Sequence, residues 1–198
     1  GKGHNLNEFA HGSFFEWKGQ FYHVWCYYIR PGFKYRETII SYCHVDDDGK
    51  IVTDTKFLDQ HFENGVGQYD ASWEKIEAEW FYEKSPGIVK QSKKDDGFEL
   101  TSLENGSWLH FANVNFDGAS KQFFANLYGN EKNKKAKIEI HLDSLDGPII
   151  GAVSFPKSSE YELVDCKTRM ISGKRDVYFK FTGISNEKLK LDWFRFSE

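Results

Sequence analysis

The chain has 198 residues, a formal net charge of −4 from 26 Lys and Arg against 30 Asp and Glu, and an aromatic content of 17%. Acidic and basic residues are interspersed, which leaves no basic footprint for a nucleic acid, and no apolar run approaches the length of a membrane-spanning helix. With 18 Phe and 10 Tyr against a single Met, and without Leu- or Ala-rich runs, strands and aromatic-lined surfaces are favoured over helices.

The first predicted elements are short strands. Residues 13–17 and 20–28 flank Lys18-Gly19, a two-residue hairpin signal. Arg30-Pro31-Gly32 turns the chain, and a strand over 37–45 ends at Asp46-Asp47-Asp48-Gly49. So small a group of strands leaves Phe14, Phe21 and Trp25 in need of cover, from packing on the rest of the chain or from a second copy. Residues 53–70 lose the alternation but carry Phe57, Leu58 and Phe62, so they read as a loop that covers something. A boundary near Trp73 divides the chain into segments 1–74 and 75–198.

Beyond it, Ile76-Glu77-Ala78-Glu79 opens a new strand, followed by strands over 99–103, 108–114 and 122–128. Over 137–156, Ile138, Ile140 and Leu142 alternate with Glu139, His141 and Asp143, and Asp146-Gly147 turns the chain into a returning strand. Strands over 161–167 and 176–182 follow. The closing run alternates Leu189, Leu191 and Trp193 with Lys190, Asp192 and Phe194. Eight to nine strands at roughly ten-residue spacing predict an all-β antiparallel sandwich. Trp108 and Trp193 lie in regular alternation, which places them in its core. Cys26, Cys43 and Cys166 match no paired metal or redox spacing; Cys26 and Cys43 could meet across a hairpin, but free thiols are the reading. No secretory leader is visible at Gly1, so a leader has been removed or the segment begins inside a longer protein.

Four separated motifs, Ile76-Glu77-Ala78-Glu79, Glu104-Asn105-Gly106-Ser107-Trp108-Leu109, the 137–156 hairpin and Leu191-Asp192-Trp193-Phe194, resemble the family 6 carbohydrate-binding modules over roughly residues 75–197. The resemblance implies a jelly-roll β-sandwich that holds plant or algal polysaccharide, commonly xylan or β-glucan, and a structural calcium ion. Sugar binding has its own physical warrant, because flat aromatic rings pack on the apolar face of a pyranose while short polar groups fix its hydroxyls. In this family two aromatics and an Asn form a cleft at the loop end. Here the Asn position is Lys190, the first aromatic position falls near Ser102, and the second is Tyr161. Tyr161 and Lys190 are therefore the candidate sugar contacts, with a plain strand-edge role for Tyr161, or sugar on the concave sheet face, as alternatives. Glu77, Glu79 and Asp192 match the family's calcium positions, and hard carboxylate oxygens suit that ion. Glu77 and Glu79 also share one face of an extended chain, as a solvated strand edge would show.

His11-Gly12-Ser13-Phe14-Phe15, Lys18-Gly19-Gln20-Phe21-Tyr22-His23-Val24-Trp25, Arg36 and Asp47-Asp48-Gly49 resemble the closing portion of a glycoside hydrolase family 43 catalytic domain, a five-bladed β-propeller. This covers about residues 1–74, one blade remnant. The resemblance places His11 and Arg36 at remnant active-site positions; a strand-capping His11 and a surface-paired Arg36 are the alternatives. The three carboxylates that inverting hydrolysis needs belong to blades that these residues do not include. The expected role is polysaccharide binding outside the cell or in the periplasm. The alternative is a xylosidase or arabinofuranosidase whose missing blades come from a longer chain or a partner.

Overall fold

The computed structural model describes residues 11–28, 36–61, 66–93, 97–185 and 189–197, with the side chains of residues 27, 28, 36, 37, 61 and 117–120 outside that description. Phe62 and the Arg30-Pro31-Gly32 turn fall outside it too. The described chain is almost entirely strand and divides into two compact units, residues 1–66 and 67–198.

In the first unit, β1 (Gly12–Trp17), β2 (Gln20–Tyr28), β3 (Arg36–Val45) and β4 (Ile51–Thr53) form one antiparallel sheet in chain order. Lys18 and Gly19 turn β1 into β2 with φ of 56° and 79°, the pair of positive values that a tight hairpin of this hand requires. Where a loop was expected after Thr53, the short helix α1 (Thr55–His61) forms, and Asp54 Oδ1 accepts the Phe57 N–H at 2.8 Å as its N-cap. Seven residues are too few to show an apolar stripe in the sequence. The helix nonetheless buries Phe57 and Leu58, with the Phe57 ring 4.0 Å from that of Tyr42.

Trp25 is buried as expected, but Phe14 (49% exposed) and Phe21 are not. Among the described residues β1 pairs with β2 alone, and its rings stack across that pair, Phe14 on His23 at 4.4 Å and Phe15 on Tyr22 at 4.8 Å.

The second unit contains β5 (Tyr69–Asp70), β6 (Ile76–Glu77), β7 (Glu83–Lys84), β8 (Val89–Ser92), β9 (Phe98–Thr101), β10 (Trp108–Tyr128), β11 (Lys137–Leu142), β12 (Ile149–Ser154), β13 (Tyr161–Thr182) and β14 (Lys190–Ser197). The strand order is β12-β11-β13-β10-β14-β9-β8, with β5 and β7 on β10 and β6 on β14. Four of the expected short strands are halves of two long ones, β10 and β13. Register shifts between Phe111 and Val114 and again between Phe116 and Gln122 interrupt this pair. Bulges of this kind bend a ladder, and here two halves of one sheet face each other. Phe111 and Phe179 from one half meet Phe123 and Phe194 from the other, with the Phe111 and Phe179 rings each 4.7 Å from Phe194 and Phe123 5.4 Å from Phe179. All four rings are fully buried, each contributing about 1.5–3 kcal/mol of transfer free energy. This is the sandwich core, built by a fold of the sheet rather than by many separate strands.

Two core assignments change. Trp108 and Trp193 are half-buried and face outward, while Leu109, Phe111 and Phe194 point inward. In β14, Leu191 pairs with Leu127 and Trp193 with Asn126, which leaves Asp192 as the extra residue of a bulge. The bulge resets the alternation, so Leu191, Phe194 and Phe196 share the core face and Phe194 does not lie with Lys190. Ile76-Glu77 forms only a two-residue strand before the 3-10 turn Ala78–Trp80. The β11–β12 hairpin is as expected, and all three cysteines are free thiols.

Candidate functional site

Strand alternation puts a set of polar and aromatic side chains on the outward face of the half formed by β7, β10, β13 and β11. Glu83, His110, Tyr178 and His141 are successive cross-strand partners, one row across four strands. Trp108, Lys180 and Glu139 form the neighbouring row. His110 stacks on Tyr178 with ring centroids 4.2 Å apart and planes at 6°, Tyr82 meets His110 edge-on at 5.5 Å, and the Trp108 indole lies 6.3 Å from the Tyr178 ring. Carboxylates flank the imidazole: Asp176 Oδ2 is 3.4 Å from Nε2 and Glu83 Oε2 is 3.8 Å from Nδ1. The Lys137 ammonium, 2.8 Å from Glu139, holds that carboxyl below its ordinary value of 4.5, with His141 adding to the effect. His141 Nδ1 contacts the Gly147 carbonyl oxygen at 3.0 Å, which fixes its ring.

This face offers an aromatic surface half open to solvent, with a carboxylate and an ammonium in the row beside it. Such a surface can stack an apolar ring face and hydrogen-bond the hydroxyls at its rim. The sequence signal for it was ambiguous, because Trp108 alternates with Leu109 and Phe111, which are equally apolar; period two identifies two faces without saying which is inside.

On the other outward face the structure brings Tyr161 and Lys190 together through a third residue, Glu99. The Tyr161 hydroxyl donates to Glu99 Oε2, and Lys190 Nζ lies 2.7 Å from Glu99 Oε1 and 5.6 Å from the centre of the Tyr128 ring. Tyr128 and Tyr161 are cross-strand partners with centroids 5.5 Å apart. Lys93 Nζ lies 2.7 Å from Asp192 Oδ2 and 5.5 Å from the centre of the Tyr161 ring, and Asn126 Nδ2 donates to the same Asp192 oxygen at 3.0 Å. Glu99, Lys93 and Tyr128 were not singled out from the sequence; nothing local marks them, since they meet only through strand pairing. Ser102, at the expected first aromatic position, is half-buried with φ of 55°.

Glu77, Glu79 and Asp192 are all buried, and Glu77 pairs across β6 and β14 with Trp193, next to Asp192. The Asp192 carboxylate pairs with the Lys93 ammonium through Oδ2. Glu77 pairs with Lys75 at 3.1 Å, and the carboxylate oxygens of Glu77, Glu79 and Asp192 are of the type that a hard cation takes. His11 is exposed, and its carbonyl oxygen accepts the Cys26 N–H at 3.0 Å. Arg36 pairs with Tyr28 through the backbone, and its side chain lies outside the described residues.

The carbohydrate binding module (family 6) model matches residues 77–198. An arabinoxylan arabinofuranohydrolase from Bacillus subtilis (strain 168) is 27% identical over 135 residues, which are 64% of this chain and 26% of that protein. Another from Paenibacillus polymyxa is 30% identical over 103 residues, 50% of this chain and 16% of that protein. The chain thus spans about a quarter or less of the length of these relatives. Among solved structures, a family 6 module from Clostridium cellulolyticum in complex with xylose is 32% identical with a TM-score of 0.59, covering 65% of this chain and 99% of that one. A glycoside hydrolase family 43 arabinoxylan arabinofuranohydrolase from Bacillus subtilis, in complex with cellotetraose, covers 95% of this chain and 40% of that one at 24% identity and a TM-score of 0.61, a likeness of fold.

Proposed function

The chain belongs to the family 6 carbohydrate-binding modules through residues 77–198, and we propose from that premise that its sandwich holds an oligosaccharide of xylan or arabinoxylan on the outward face built on Trp108 and Tyr178. The observation that carries this reading is the outward, half-buried Trp108 beside Tyr178, in one row with Lys180 and Glu139. A pyranose ring laid on the indole shields apolar C–H groups and leaves its hydroxyls to the carboxylate and the ammonium. The xylose complex of the 32% identical module and the names of the arabinoxylan-acting relatives support the choice of sugar.

The module belongs, in this proposal, to a family 43-type glycoside hydrolase that works outside the cell or in the periplasm, where polysaccharide is met. Polysaccharide binding is the role of these residues. Hydrolysis by a xylosidase- or arabinofuranosidase-type site is the second reading, favoured by the 95% coverage of this chain in the likeness to the family 43 enzyme; it needs carboxylates from further blades, in the same chain or a partner. A calcium ion at Glu77, Glu79 and Asp192 is part of the proposal; it is tested by a rise in melting temperature when calcium is added to chelator-treated protein.

Titration calorimetry against xylan, arabinan and β-glucan oligosaccharides, with reducing-sugar release assayed on the same samples, tests the function. Binding of xylo-oligosaccharides without release is the expected result. Release would replace this reading with the hydrolytic one, and absence of binding to every member of the panel would overturn the binding reading.

A further inference from the structure

We propose that the Lys93–Lys190 cluster on the opposite face selects sugars that carry a carboxylate, a uronic acid side group or unit, over neutral ones. The inference rests on the reading that the module holds sugar, and adds the charge class of a second subsite. Each of the two tyrosine rings there has an ammonium within cation–π range, Lys93 over Tyr161 at 5.5 Å and Lys190 over Tyr128 at 5.6 Å. The arrangement is layered. The carboxylates that anchor the two lysines lie inside, with the Asp192 and Glu99 side chains 4% and 5% exposed, whereas both lysine side chains are 30% exposed.

A group approaching from solvent meets ammonium before carboxylate. Each ammonium has three donors, and the described partners are one carboxylate oxygen each, Asp192 Oδ2 at 2.7 Å and Glu99 Oε1 at 2.7 Å. The ion pairs with buried carboxylates restrain both lysines, so less rotamer entropy is lost on binding than from unpaired lysines. A neutral pyranose would have to share the tyrosine faces with two charges that it cannot satisfy. A uronate brings the missing acceptor: its ring reaches the exposed edge of Tyr161, and its two oxygens accept from Lys93 and Lys190 as charge-assisted hydrogen bonds.

The test is calorimetry on the full chain with glucuronosyl-xylotriose and with xylotetraose, each at low and high salt. The acidic sugar is expected to bind about tenfold more tightly at low salt, the size of one or two added charge-assisted hydrogen bonds, with the advantage shrinking as salt screens it. Lys93→Gln with Lys190→Gln should erase the preference, bringing the affinities for the two sugars together. Lys93→Arg with Lys190→Arg should restore the preference, which separates recognition from any loss of folding caused by leaving Glu99 and Asp192 without cations. Equal affinity for the two sugars, or a preference that survives the Gln variants, overturns the inference. Xylotetraose binding that is present in the native chain and lost in Trp108→Ala would meanwhile leave the proposed function standing.

Discussion

His110 lies flat against Tyr178, ring centroids 4.2 Å apart and planes 6° from parallel, between the carboxylates of Glu83 and Asp176. The stack fixes the tyrosine ring next to the Trp108 indole and so shapes the proposed sugar platform. Tyr178→Ala is expected to weaken xylo-oligosaccharide binding roughly tenfold by calorimetry, an ordinary loss for an aromatic contact at a binding surface. Binding that is unchanged in that variant would place the sugar elsewhere.

The core behaves differently. Phe123 is fully buried and contacts Phe179, Phe194 and Phe196 at the junction of the two halves of the folded sheet. Phe123→Ala should cost about 3–5 kcal/mol in urea unfolding through lost transfer energy and the cavity left behind.

Gly129 follows β10 where the chain passes the Pro156 carbonyl. A Cβ built there would sit 1.7 Å from that oxygen, a backbone atom that cannot swing aside. Gly129→Ala is therefore expected to lower stability by about 1–3 kcal/mol or more. A Gly129→Ala protein that melts with the native chain would contradict the close approach.

Arg175 pairs with Asp143 through both its Nε, at 2.8 Å, and its Nη2, and these hydrogen bonds hold the Asp143 carboxyl below its ordinary value of 3.8. The unfolded chain then binds the proton more readily than the folded one. The stability that the pair contributes is fully present above pH 3.8 and disappears as pH falls through the lower folded value. Both side chains are well exposed, so the contribution is small. The difference in unfolding midpoint between the native chain and Asp143→Asn should be constant from pH 7 to about 5 and shrink below pH 4. A difference that grows on acidification would contradict the assignment.

Much of the fold was legible because it rests on local signals. Lys18-Gly19 and Asp146-Gly147 marked their hairpins, and the alternation of Ile138, Ile140 and Leu142 marked an inner face. What the sequence hid depends on pairing between distant residues. The continuity of β10 and β13 is set by a ladder whose bulges look like ordinary strand ends, and the Asp192 bulge inverts an alternation that reads as regular. Helix α1 is too short to show a period. Tyr161 and Lys190 were singled out by motif position, but their meeting through Glu99, 62 residues from Tyr161 and 91 from Lys190, was not visible from spacing. Trp108 was visible but assigned to the wrong face, because large apolar residues occupy both sides of its strand.

Calorimetric titration of xylohexaose into the native chain and into Trp108→Ala, with melting temperatures measured on both, tests the central claim most directly. The account predicts that Trp108→Ala loses at least about tenfold in affinity while its melting temperature stays close to that of the native chain, since the indole is half outside the core. A variant that binds xylohexaose as the native chain does, or that loses about 3–5 kcal/mol of stability as a core tryptophan would, contradicts it.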